Sequence, residues 1–262
     1  MLFRSGLTED LLARSDRFWK LIDHPARIPF AQAAVLALEA ERAEAPARGV
    51  WGQIESARRP ESPALALACV IAWSAAALLS TRVGIWNAIG GIAIVLGIAA
   101  IVLDGASVRE ALRPSPRRIL LGVATGLMMA AATYLLYPPV TRVAPFVVAD
   151  TAFLYSAFRS TSPWVGALVL VPVILGEELA WRHIVQSALV KRFGPVSGIV
   201  LAAGTYALAH AALGSPVLVL AALACGLVWG ALRFASGSLV PTLLAHFLWD
   251  GLVLLWIPLL AR

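Results

Sequence analysis

Three strings in the last third of the chain hold the side chains best suited to chemistry. GEELAWRH puts Glu177, Glu178, Arg182 and His183 in the middle of an apolar run. TYALAHAAL sets Tyr206 one helical turn before His210, and PTLLAHFLWDGL sets His246 four residues before Asp250. A charge in hydrocarbon costs roughly 2.5–3.5 kcal/mol on insertion scales, so a cluster of them calls for a compensating role. On an α-helix Glu178 and Arg182 share a face and can pair, whereas Glu177 points about 100° from the first and about 140° from the second. Glu177 is thereby left without a partner on its own helix, a placement that suits a general base. His246 and Asp250, four apart, also face one way.

Each piece has a plainer reading. Membrane histidines often serve as hydrogen-bonding glue between helices, and a buried Glu–Arg pair can be a structural clamp. Joint occurrence shifts the balance. Two glutamates, two histidines and an aspartate occupy three separate spans of a bundle otherwise poor in charge. Buried carboxylates and histidines also relay protons, which keeps a proton-coupled transporter open as an alternative, although no inverted repeat or broken-helix pair is evident. Heights counted along each span place Glu177 about 21 Å and His210 about 22 Å above the cytoplasmic end. The same count places Asp250 at about 16 Å and His246 at about 10 Å, a gap that a tilted or earlier-starting helix would narrow, so the estimate allows a site shared by all four.

The elements that must position these groups are membrane helices. Hydrophobic residues make up 60% of the 262 residues, charged residues 14%, and the mean hydropathy is +0.82. These figures lie outside the range of soluble domains. Seven apolar runs, at about 64–80, 84–103, 119–138, 163–190, 196–213, 216–232 and 239–260, reach or approach the ~20 residues that cross a bilayer. Residues 143–158 form an interfacial helix or half of an eighth span. The expected fold is an all-α polytopic bundle of about seven spans, within a range of six to eight. Gly84–Gly97 and Gly122–Gly126 suit close helix–helix approach.

Residues 1–62 carry 9 basic and 9 acidic side chains, so the net charge of +6 comes entirely from the membrane part. They read as a helical, cytoplasmic extension beginning at Thr8, with a second helix over Phe30 to Ala45. The domains are thus 1–62 and 63–262. Arginine-rich loops before the first span and between the second and third place the N-terminus in the cytoplasm. The basic balance fits anionic lipid, and no aromatic-interleaved basic patch argues for nucleic acid. Cys69 and Cys225 lie inside apolar runs and read as buried small residues.

Taken in order, Glu177-Glu178-Leu-Ala-Trp-Arg182, Tyr206-Ala-Leu-Ala-His210 and His246-Phe-Leu-Trp-Asp250 resemble the CAAX-protease and bacteriocin-processing family of intramembrane glutamic endopeptidases. That family includes the type II CAAX prenyl endopeptidases and the bacterial Abi proteins. The resemblance covers about 163–255 and implies hydrolysis of a peptide bond in a membrane-associated peptide or protein. It implies that Glu177 and His210 bind and activate water, and that His246 with Asp250 stabilises the oxyanion. Glu178 and Arg182 would hold the geometry. Two positions depart from the family pattern. Tyr206 stands where Phe is usual and adds a hydroxyl that needs a partner. Asp250 stands where the eukaryotic enzymes have Asn, and an ionised Asp cannot donate to an oxyanion, so Asp250 is also a candidate for orienting His246. Glu177, His210 and His246 are the zinc ligands if the reaction uses a metal, but without an HExxH the expectation is a cofactor-free reaction. A non-catalytic immunity or scaffold protein of the same fold is the other alternative. Ala, Arg and Leu richness suggests a bacterial inner membrane.

Overall fold

A computed structural model describes residues 63–158 and 162–260. The proposed helices of the N-terminal extension lie outside the described residues. Within them the chain is helical throughout, with no strand. The helices are α1 (Pro63–Val83), α2 (Ile85–Ala111), α3 (Pro116–Val143), α4 (Phe146–Phe158), α5 (Pro163–Glu177), α6 (Gln186–Phe193), α7 (Pro195–His210), α8 (Pro216–Ser236) and α9 (Val240–Asp250). Two π-helical segments interrupt this order: Glu178–Val185 joins α5 to α6, and Gly251–Trp256 continues α9.

Among the described residues, six helices are long and apolar enough to cross a membrane: α1, α2, α3, the continuous run Trp164–Phe193, Pro195–Leu213 and α8. Two apolar helices are shorter, Phe146–Ser156 and Val240–Trp256. The polytopic all-α bundle expected from the hydropathy pattern is therefore present. Its seventh apolar run falls short of a full span because the helix begins only at Val240 and turns out at Ile257, whose carbonyl accepts from Tyr134 Oη at 2.7 Å.

Local sequence explains the boundaries. Ser115, Ser162 and Ser215 each cap a helix whose first turn carries proline, and each side chain accepts a backbone N–H. Gly194, at φ 81°, and Gly237, at φ 66°, close the turns before α7 and after α8 in a conformation that L side chains rarely adopt. The core is assembled around Trp73, Trp181, Trp229 and Leu179, all buried. Cys69 and Cys225 are buried free thiols, as expected from their surroundings.

Two close helix contacts matter for the chemistry. A Cβ on Gly176 would collide with the Ala93 carbonyl, so α5 can lie against α2 only because residue 176 is glycine. Gly97 faces Gly176 across the same contact. On the other side, a Cβ on Gly122 would come within 2.7 Å of the Pro241 carbonyl oxygen, and one on Gly126 within 3.0 Å of Ala245. Small residues of α2 and α3 thus bring the helices bearing Glu177 and His246 into the bundle centre. The start of α9 is also pinned to the end of α2: Leu239 N and Ser238 Oγ both donate to Ala111 O at 2.8 Å.

Candidate active site

Glu177 ends α5, and the next residue begins the π segment. There the ladder skips to five-residue spacing, with Gln186 N–H donating to Trp181 O. Such segments are rare and often mark functional positions. Every residue from Glu178 to Val185 is buried. The widened turn gathers Glu178, Arg182 and His183 in the interior, while Ser187 Oγ donates to the carbonyl of Arg182 at 3.4 Å.

The two glutamates face different partners. Glu178 is fully buried and lies 3.0 Å from His246 Nδ1 through Oε1 and 3.8 Å from Arg182 Nε through Oε2. The pairing with Arg182 expected from their spacing is present, but the shorter contact is to His246, 68 residues away. Glu177 Oε2 accepts from Tyr206 Oη at 2.9 Å and lies 3.8 Å from His246 Nε2. The extra hydroxyl of Tyr206 thus has its partner in the carboxylate that its own helix left unpaired.

His246 is surrounded by carboxylates. Besides the two glutamates, Asp250 Oδ2 lies 3.5 Å from Nε2, so the four-residue pair on α9 forms as its spacing predicts. An imidazolium in this setting donates from Nδ1 to Glu178 and presents Nε2–H toward Glu177 and Asp250. The ring is stacked on Trp229, with centroids 3.7 Å apart and planes inclined by 23°. Trp229 was not singled out by sequence reasoning, since nothing in its local pattern separates it from the other tryptophans of the core.

His210 reaches the site by a different route. Its Nδ1 lies 2.7 Å from the Tyr206 carbonyl oxygen. A carbonyl can only accept, so Nδ1 carries the hydrogen and a neutral ring keeps its lone pair on Nε2. Tyr206 therefore connects Glu177 and His210, the first through its hydroxyl and the second through its backbone. Arg182 Cζ sits 4.7 Å above the Tyr206 ring and 5.4 Å from the Trp229 ring, tying the guanidinium to both aromatic residues.

A cavity of ≈ 240 Å³ opens against these groups. Glu177, Tyr206, His210, His246 and Asp250 line one part of it, and apolar side chains including Trp86, Leu170 and Val173 line much of the rest. The shared site that the height count allowed is present, with His246 Nε2 3.8 Å from Glu177 Oε2. The arrangement can hold water between a carboxylate and imidazole groups beside an apolar chamber. Among the described residues, no group of three or more His, Cys, Asp or Glu is spaced to hold an ion.

Fold and site together define a polytopic membrane protein with an acid–histidine centre buried at helical depth. Residues 158–252 match the family model described as type II CAAX prenyl endopeptidase Rce1-like, a stretch containing all three strings. The match covers the last third of the chain and is a similarity to that family over those residues. No curated protein and no solved structure matches the chain.

Proposed function

We propose that this protein is an intramembrane endopeptidase that hydrolyses a peptide bond with water activated by Glu177 and His210, without a metal. Glu177 takes a proton from water as its oxygen attacks the scissile carbonyl carbon. The carbonyl oxygen becomes an oxyanion facing His246 Nε2–H, an interaction worth about 3 kcal/mol in comparable sites. Collapse breaks the C–N bond, and the proton held by Glu177 passes to the departing amine. Asp250 orients His246 and offsets its charge. Glu178 and Arg182 hold that imidazole from the opposite side.

One observation carries this reading: Glu177 Oε2 lies 3.8 Å from His246 Nε2, at the wall of a cavity that His210 and Asp250 also line. General base and oxyanion donor are thus close enough to act on one carbonyl. The apolar lining favours an uncharged segment of a membrane-associated peptide as substrate. We place the protein in a bacterial inner membrane with its N-terminus in the cytoplasm, in keeping with the arginine-rich loops.

The test compares new peptide termini in membranes from cells making the unsubstituted protein or Glu177→Gln. Termini present only with the unsubstituted protein are expected and would identify the substrate. Identical sets of termini would refute the proposal.

A further inference from the structure

We propose that Tyr206 is a positioning residue, its hydroxyl fixing the Glu177 carboxylate so that one defined oxygen meets the attacking water. The inference rests on the reading of Glu177 as general base. Both contacts described for Glu177 fall on Oε2, one from Tyr206 Oη at 2.9 Å and one from His246 Nε2 at 3.8 Å. Oε1 is the oxygen left to receive a proton.

The hydroxyl can enforce this because its ring is itself immobilised. Trp181 packs edge-on at 5.2 Å, His210 lies edge-on at 4.4 Å, and the Arg182 guanidinium covers the ring at 4.7 Å. Tyr206 is 4% exposed and Glu177 7%, so bulk water does not compete freely for the bond. A glutamate left to rotate about its three torsions would have to be ordered in every catalytic cycle, at a cost in side-chain entropy. Here the order is built in. The same residue fixes the ring nitrogens of His210 through its carbonyl. Any amino acid supplies that carbonyl. Only tyrosine at this position adds the hydroxyl to an aromatic ring, so phenylalanine separates the two functions.

The test uses the full-length protein in proteoliposomes and needs no ligand for its first arm. Infrared difference spectra between the unsubstituted protein and Glu177→Gln isolate the bands of the Glu177 carboxyl group. In Tyr206→Phe those bands should shift, because the group has lost a hydrogen-bond donor. Replacing Tyr206 by 3,5-difluorotyrosine, which keeps the ring and alters the donor, should shift them too and serves if the Phe variant folds poorly. In the second arm, cleavage of the substrate peptide found in membranes should lose about tenfold in kcat, the equivalent of one hydrogen bond to a charged group. KM should stay within about twofold, as expected when substrate binding is untouched. Unshifted bands in both variants would overturn the proposal, as would a loss confined to KM. If no cleaved substrate exists the proposed activity fails, while the infrared arm still decides whether Tyr206 positions Glu177.

Discussion

Substituting the two adjacent glutamates by glutamine should separate catalysis from stability. Glu178 is fully exchanged for protein contacts: His246 Nδ1 at 3.0 Å, Arg182 Nε at 3.8 Å and no exposed surface. Glu178→Gln keeps an oxygen that can accept from Nδ1 but removes the charge opposite Arg182, which is itself only 3% exposed. Breaking a buried ion pair from one side costs about 3–5 kcal/mol. The retained hydrogen bond, worth about 1.5 kcal/mol, pulls the expected loss to the lower end, about 3 kcal/mol. That is a large fraction of the ~5–15 kcal/mol by which folded proteins are stable. Glu177→Gln should behave differently. Its carboxylate faces the cavity and a hydroxyl, and an amide can still bond to Tyr206, so the loss should stay below about 1 kcal/mol. Unfolding in mixed detergent–lipid micelles, followed by tryptophan fluorescence, measures both. Equal midpoints for the two variants, or a more damaging change at Glu177, would refute the division of roles.

Three further outcomes follow from the geometry. Gly176→Val should cost several kcal/mol and reduce activity, because its side chain would meet the Ala93 carbonyl and force α5 off α2; the unfolding midpoint and cleavage rate of one preparation check it. Asp250→Asn keeps an oxygen near His246 Nε2 and should reduce kcat less than Asp250→Leu, a ranking that single-turnover cleavage reads directly. Chelators followed by zinc should leave the cleavage rate unchanged, whereas loss in chelator with recovery on zinc addition would replace the metal-free scheme.

Much of this site was legible in the sequence because helical spacing is local. The Glu178–Arg182 and His246–Asp250 pairs follow from four-residue separations, and both occur. What the pattern could not supply were contacts between helices. The bond from Tyr206 to Glu177 spans 29 residues, and that from His246 to Glu178 spans 68. The π segment Glu178–Val185 was also hidden, since the change in hydrogen-bond ladder leaves no periodic signature in the sequence. A usable signal lay in Gly122 and Gly126, which marked a close approach without naming its partner. That partner is α9, the helix that carries His246. Heights counted along separate spans allowed a shared site but could not bring His246 to within 3.8 Å of Glu177, since such a count carries no information on tilt or on which faces meet.

The account turns on Glu177 as the residue that activates water. The most direct measurement is the cleavage rate of purified Glu177→Gln on the membrane-derived substrate peptide, with its unfolding midpoint recorded on the same sample. Loss of a general base typically costs 10²–10⁴-fold, so a drop of at least about 100-fold with an unchanged midpoint is expected. A folded Glu177→Gln protein that cleaves within about tenfold of the unsubstituted rate would contradict it.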